Sequence, residues 1–145
     1  TSHHPVREGK MGCASCHNPH DGGTPKMIQG DSVNELCYKC HTEKRGPYLF
    51  EHAPVREDCI SCHDPHGSNH KRLLLNKLPN LCWNCHLTGS GHFGSLDNLI
   101  TEKGYTTAPV TGFPTAGSRG VEKSCKNCHV NLHGSNSPSG AAFLR

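Results

Sequence analysis

The sequence predicts an irregular fold of short helical turns and loops with no conventional hydrophobic core, and three observations predict it. Leu, Ile, Val and Phe make up 25 of 145 residues, about 17%, below the share with which a soluble chain normally builds its own core. Ten prolines and sixteen glycines interrupt the chain, few runs favour strands, and no helical apolar period lasts long enough for a bundle. The segment Cys-x-x-Cys-His is written five times, as Cys13-Cys16-His17, Cys37-Cys40-His41, Cys59-Cys62-His63, Cys82-Cys85-His86 and Cys125-Cys128-His129, and those copies use all ten cysteines.

That spacing attaches c-type haem: two thiols bond covalently to the porphyrin and the adjacent imidazole ligates iron. Cysteines at i and i+3 share a helical face and a histidine at i+4 extends it, so one short turn holds the ring edge and reaches the metal. Disulfides and structural zinc are the competing readings of paired CxxC elements. Neither needs histidine directly after the second cysteine. With histidine at about 9% of positions, five such placements by chance have odds on the order of 10⁻⁵. The chain therefore reads as a multihaem cytochrome c, with little regular secondary structure and with short helices and loops wrapped around a chain of five haems. Those rings supply the apolar surface that the side chains lack, and the haem-free chain is expected to be disordered.

Residues 3–41 and 52–86 repeat. His3-His4-Pro-Val-Arg-Glu answers His52-Ala-Pro-Val-Arg-Glu, Cys16-His17-Asn-Pro-His20 answers Cys62-His63-Asp-Pro-His66, and Leu36-Cys37 with Cys40-His41 answers Leu81-Cys82 with Cys85-His86. Cognate histidines stand about 46 residues apart, so a two-haem module is used twice. In the first-type motifs, at Cys13 and Cys59, a proline two residues after the histidine (Pro19, Pro65) disfavours helix at Asn18 and Asp64, and the chain must turn outward. Ahead of the second-type motifs, Ser32-Val33-Asn34-Glu35 has capping-box spacing before Cys37. Pro79 suits the first turn of the helix carrying Cys82, and Glu57-Asp58 reads as a cap on the turn carrying Cys59. Motif starts lie 24, 22 and 23 residues apart, then 43 apart between Cys82 and Cys125. Residues 88–120, rich in Gly, Thr, Ser and Pro, read as a long loop, with Leu96–Thr101 as a short turn of helix. Residues 121–145 carry the terminal motif, and the whole of 1–145 is expected to form one pentahaem domain.

Eight histidines stand outside the motifs: His3, His4, His20, His52, His66, His70, His92 and His133. Five irons need at most five of them. Met11 and Met27 are the only methionines, so bis-histidine haems at low potential are expected. His20 and His66 follow a proline three residues beyond a proximal histidine; neither easily reaches the far face of its own porphyrin, and each is expected to serve a different haem. His52 and one of His3 or His4 head the repeats, and His92 and His133 follow His86 and His129 by six and four residues.

The formal charge of +3 does not point to nucleic acid. Two propionates per haem add about −10 and bring the reduced holoprotein to about −7. Lys39, Lys44, Arg45, Lys71, Arg72, Lys123 and Lys126 then read as propionate partners or solvated surface. No apolar stretch approaches the ~20 residues of a membrane helix. The first residues carry no apolar signal core, so an export peptide is expected to have been removed. Haem attachment of this kind is done outside the cytoplasm in bacteria, which places the protein in the periplasm or beyond. Phosphate loops, nucleophile elbows, dinucleotide fingerprints and the HExxH pattern are all missing.

Four strings carry a closer resemblance: Cys37-Tyr-Lys-Cys40-His41-Thr-Glu-Lys-Arg-Gly-Pro, Glu51-His52-Ala-Pro-Val, Cys62-His63-Asp-Pro-His66-Gly-Ser, and Asn127-Cys128-His129 through His133-Gly-Ser-Asn. With them the whole length resembles the C-terminal five-haem half of MtrA/DmsE-type periplasmic decahaem cytochromes, the electron-carrying subunits of outer-membrane porin–cytochrome conduits. It is similar, more loosely, to pentahaem donors of the NrfB type. The resemblance implies distal ligation by His4, His20, His52, His66, His92 and His133, six candidates for five irons. It also implies a non-catalytic electron carrier that works with redox partner proteins, an outer-membrane porin or other cytochromes. A surplus ligand at an exposed end offers an alternative, a homopolymer forming an extracellular filament. A multihaem reductase is the third alternative, but it needs an open iron position or a Cys-x-x-Cys-Lys variant, and all five motifs end in histidine.

Overall fold

The computed structural model describes residues 1–20, 23–86, 100–101, 104–105 and 124–144. Two compact units are formed, one by Thr1–Asn76 with His129–Arg145 and one by Lys77–Cys128. His92 and Lys123 lie outside the described residues, as does most of the loop expected at 88–120.

In the first unit each first-type motif begins as a single 3₁₀ turn, Cys13–Ser15 and Cys59–Ser61. Helix does not run on because Pro19 and Pro65 keep the residues before them out of the α region, and Asn18 and Asp64 are accordingly irregular. Asp58 caps the second turn, its carboxylate accepting from Ile60 N–H at 3.1 Å. The second-type motif has no such proline, and its helix starts earlier. That helix, α1 (Val33–Tyr38), opens on Ser32, whose hydroxyl accepts from Glu35 N–H at 3.2 Å, as the capping-box spacing requires. A second short helix, α2 (Ala53–Glu57), carries a proline in its first turn and leads into the Cys59 turn.

The repeat is legible bond by bond. Asn18 N–H donates to Met27 C=O and Gln29 N–H to Cys16 C=O, both at 2.8 Å; 46 residues on, Asp64 donates to Leu73 at 2.7 Å and Leu75 to Cys62 at 2.9 Å. Each loop returns through two consecutive left-handed residues, Lys26 and Met27 (φ 61° and 51°) and Arg72 and Leu73 (φ 63° and 58°). Such a conformation costs an ordinary residue about 1–2 kcal/mol, so the closing hydrogen bonds must hold it.

Almost nothing else is buried. Among the described residues the buried apolar side chains are Ile28 and Phe143, beside the polar Asn34 and Ser135, while Val6, Met27, Leu49, Phe50 and Leu75 are exposed. The composition argument from low aliphatic content is met among the described residues, where protein side chains alone form no core. Asn34, on α1, replaces packing with hydrogen bonds. Its amide donates to Val55 and Arg56 carbonyls at 3.0 Å each, and its oxygen accepts from Cys59 N–H at 2.8 Å. Motifs two and three are thereby pinned together.

The second unit carries α3 (Asn80–Trp83) and the 3₁₀ turn Cys125–Asn127. Pro79 sits at the N-cap of α3, with its carbonyl accepting from Cys82 and Trp83 N–H. Two short strands, β1 (Ile100–Thr101) and β2 (Gly104–Tyr105), pair antiparallel with Ile100 opposite Tyr105. The end of the helical turn expected at Leu96–Thr101 is therefore extended; residues 96–99 lie outside the described residues. Ile and Thr are β-branched and favour that outcome. No helix among the described residues is long and apolar enough to cross a membrane.

Candidate haem sites

Each motif winds around one carbonyl. His17, His41 and His86 donate their N–H to the first cysteine's C=O at 2.9 Å and His63 does so at 3.1 Å, while the second cysteine donates to that same oxygen in all five motifs. Both thiols and the imidazole thus leave a single turn, as the spacing requires. None of the ten cysteines is joined in a disulfide. Among the described residues no three or more His, Cys, Asp or Glu side chains converge to hold a bare ion, and the zinc reading has no geometry either.

The proximal imidazoles are oriented by backbone. His17 Nδ1–H donates to Lys26 C=O at 3.0 Å, His63 to Arg72 C=O at 2.8 Å and His129 to Ala142 C=O at 2.5 Å. The left-handed residues lie at these carbonyls: Lys26 and Arg72 themselves, and Phe143 (φ 54°) just after Ala142. A proton fixed on Nδ1 leaves the Nε2 lone pair for a metal, the usual second-sphere arrangement of a ligating histidine. His41 differs, for its Nδ1 lies 3.8 Å from the Glu43 carboxylate and both side chains are exposed.

Opposite three proximal rings stands a second imidazole. His4 faces His41 with ring centroids 6.2 Å apart, His66 faces His17 at 6.1 Å, and His133 faces His63 at 6.2 Å. Two imidazoles on opposite faces of one metal, each about 2 Å from it through nitrogen, have centroids about 6.3 Å apart. The donor set and its spacing fit haem iron. His17/His66 and His63/His133 are nearly parallel, at 8° and 19°, while His4/His41 are tilted by 50°.

Two backbone bridges bring in the remote partners. Ser2 pairs with Ser68 through hydrogen bonds of 2.7 and 2.8 Å, and His4 Nδ1–H donates to Pro65 C=O at 2.9 Å. Phe50 pairs with Ser135 at 3.0 and 2.9 Å, two residues beyond His133, and Asn136 accepts from Leu49 N–H at 2.7 Å. Gly134 between them has φ 143°, and a Cβ there would overlap the Tyr48 ring.

The remaining histidines divide. His3 pairs with Glu8 at 2.9 Å instead of facing a ring, which separates it from His4, and that hydrogen bond holds the Glu8 carboxyl below its ordinary value. His52 lies 5.6 Å from the Phe143 ring. The backbone N–H of His70 donates to the Ser68 hydroxyl at 2.9 Å. His20 is exposed, and among the described residues no ring faces it.

Attachment points also meet. Asn34, on the helix that carries Cys37, holds Cys59 N–H, and burial pushes both thiols up, Cys59 to about 12. A cleft beside His133 is lined by Tyr38, Lys44, Arg45, Tyr48 and Arg56, with the Arg45 guanidinium 5.8 Å from the Tyr38 ring centre; burial raises the Tyr38 hydroxyl. Sequence reading missed Asn34 and the left-handed carbonyls. The latter had a signal, since Lys26-Met27 and Arg72-Leu73 are basic–apolar pairs in register with the repeat.

Residues 3–46 and 52–90 match the doubled CXXCH motif family. The chain belongs to that family and is a multihaem c-type cytochrome. The chain is 42% identical over 146 residues to the multihaem cytochrome MtrA of Shewanella baltica (strain OS185), an alignment that covers 99% of the chain and 41% of that protein. It thus spans about two fifths of that curated relative. In this cytochrome the family segments coincide with the two sequence repeats, and the irregular, turn-built fold agrees with the multihaem cytochrome c class.

Proposed function

We propose that the chain is a single pentahaem domain that conducts electrons along five covalently attached bis-histidine haems, between periplasmic donors and an outer-membrane or extracellular acceptor. When bound, each haem supplies a one-electron ferric/ferrous couple. The ten motif cysteines hold the rings, and His17, His41, His63, His86 and His129 are the proximal ligands. His66, His4 and His133 are distal ligands to the irons of His17, His41 and His63, with His52 and His92 the candidates for the other two. The observation that carries the reading is the set of three imidazole pairs, each at the separation one iron requires and five of the six rings fixed or placed by backbone bonds.

Conduction needs neighbouring rings, and the chain enforces it. His66 and His63 are three residues apart, a span of at most ~11 Å of backbone, yet they serve different irons. The bond from Cys59 N–H to Asn34, on the helix that carries Cys37, draws the second and third attachment points together. Lys44, Arg45 and Arg56 beside His133 are suited to hold propionates by charge-assisted hydrogen bonds. Low potential follows from two nitrogen ligands per iron, as methionine ligation would raise it. The partners proposed are redox proteins, including an outer-membrane porin or other cytochromes.

Intact mass of the exported holoprotein, with ferric EPR, tests this. Five haem masses above the polypeptide and low-spin signals alone are expected. Fewer haems, or one high-spin equivalent per chain, would overturn the count or the ligation.

A further inference from the structure

Two of the three imidazole pairs are nearly parallel and one is not, and the bond that separates them lies on the distal side. His17 and His66 stand at 8° and His63 and His133 at 19°, whereas His4 is tilted by 50° from His41. In the parallel pairs a carbonyl holds the proximal ring, Lys26 C=O for His17 and Arg72 C=O for His63. In the tilted pair His41 Nδ1 is 3.8 Å from the Glu43 carboxylate, beyond a hydrogen bond. The grip is on His4 instead, whose Nδ1–H donates to Pro65 C=O at 2.9 Å.

That carbonyl does not simply follow the ring. Pro65 stands between His63 and His66, and both are held: the His63 ring by Arg72 C=O, and His66 by its N–H on Asp64 Oδ1 at 2.9 Å. The pyrrolidine ring of Pro65 fixes its own φ near −65°. Just beyond, Gly67 turns the chain with φ 134°. Ser68 then pairs with Ser2 at 2.7 and 2.8 Å, and Leu73 N–H donates to the Ser2 hydroxyl at 3.0 Å. His4 enters directly after this bridge, so the chain delivers its ring to a carbonyl whose direction is already set.

We propose that Pro65 C=O is a positioning group for the second haem: it fixes the His4 ring across the plane of His41 and gives that iron a ligand field unlike those of its two neighbours. This rests on the bis-histidine reading above. Parallel imidazoles feed π density into one iron d orbital and split it from its partner, which gives a rhombic ferric signal. Crossed planes feed both orbitals, which draw together and make the signal strongly anisotropic. The hydrogen bond also makes His4 a more basic ligand. Pro65 lies on the segment that joins His63, a ligand of the third iron, to His66, a ligand of the first. One carbonyl therefore ties the ligand of the second haem to the strap between the other two, through a path interrupted by a single hydrogen bond.

Ferric EPR of the haem-loaded protein of residues 1–145 tests this. His4→Ala is expected to turn one low-spin haem per chain high-spin and to erase a strongly anisotropic signal, which identifies the second haem. Nδ1-methylhistidine at position 4 keeps the Nε2 donor and removes the Nδ1–H; that haem is expected to stay low-spin while its signal becomes rhombic. The same replacement at position 66, where Nδ1 is 3.9 Å from the Asp64 carboxylate, is expected to leave every signal as in wild type. Where methylation displaces the His4 ligand itself, Ser2→Pro decides. It deletes the N–H that pairs with Ser68 and is expected to shift the same signal at full low-spin content, which Ser2→Thr does not. The proposal is overturned if His4→Ala erases a rhombic signal, if the signal of the second haem survives both loss of the Nδ1–H and Ser2→Pro, or if methylation at position 66 has the same effect. Should His4→Ala open no haem, the bis-histidine reading fails instead.

Discussion

First-type and second-type motifs share their five-residue spacing and differ in what orients the imidazole. At Cys13 and Cys59 a proline stops the helix, the chain returns through left-handed residues, and a backbone carbonyl grips Nδ1 of His17 or His63. At Cys37 the motif leaves a capped helix, and His41 has only the Glu43 carboxylate at 3.8 Å. Its ring instead faces His4, which is itself gripped by Pro65 C=O of the other module. Orientation is local at the first kind of site and borrowed at the second. The comparison teaches that the site of His41 depends on the rest of the molecule, whereas the sites of His17 and His63 carry their own scaffold.

The largest expected effect is at that borrowed site. His4→Ala opens the iron of His41, giving one high-spin haem, one carbon monoxide bound per chain and a rise in potential on the order of 100 mV. His3→Ala changes none of these, since His3 is paired with Glu8; equal effects from both variants would break the distinction. Next comes Asn34→Ala, which removes the partner of two carbonyls and an N–H in part-buried bonds and is expected to cost about 1–3 kcal/mol by denaturant unfolding followed in the Soret band. Gly134→Ala forces a side chain into a left-handed position against Tyr48. A loss of about 1–3 kcal/mol with mixed-spin signals from the haem of His63 is expected, because His133 adjoins it. Smallest is Arg72→Gly, which keeps the carbonyl and relieves the left-handed strain; a gain of up to about 1 kcal/mol with an unchanged spectrum is expected, as the grip on His63 is made by backbone. A spectral change on Arg72→Gly would assign the role to the side chain.

Much of this was readable in the chain, and the reasons are particular. Cys-x-x-Cys-His fixes one turn by spacing alone, and Pro19, Pro65 and Ser32 act on their nearest neighbours, so the turns at Cys13 and Cys59 and the cap of α1 follow from local rules. That the His66 ring stands opposite His17 is in keeping with the same proline. The choice between His3 and His4 was not local: it turns on a bridge between Ser2 and Ser68 that no nearby residue announces. Asn34 likewise looked like an ordinary helix-start residue, and only the fold shows its three long-range bonds. Ile100–Thr101, read as helical, is extended because its pairing with β2 and the strand preference of two β-branched residues act together.

Anomalous scattering at the iron edge from crystals of the holoprotein tests the central claim most directly. The account expects five iron peaks, three of them midway between the rings of His4 and His41, His17 and His66, and His63 and His133. Irons lying against only one imidazole of these pairs, or crystals without iron, would contradict it.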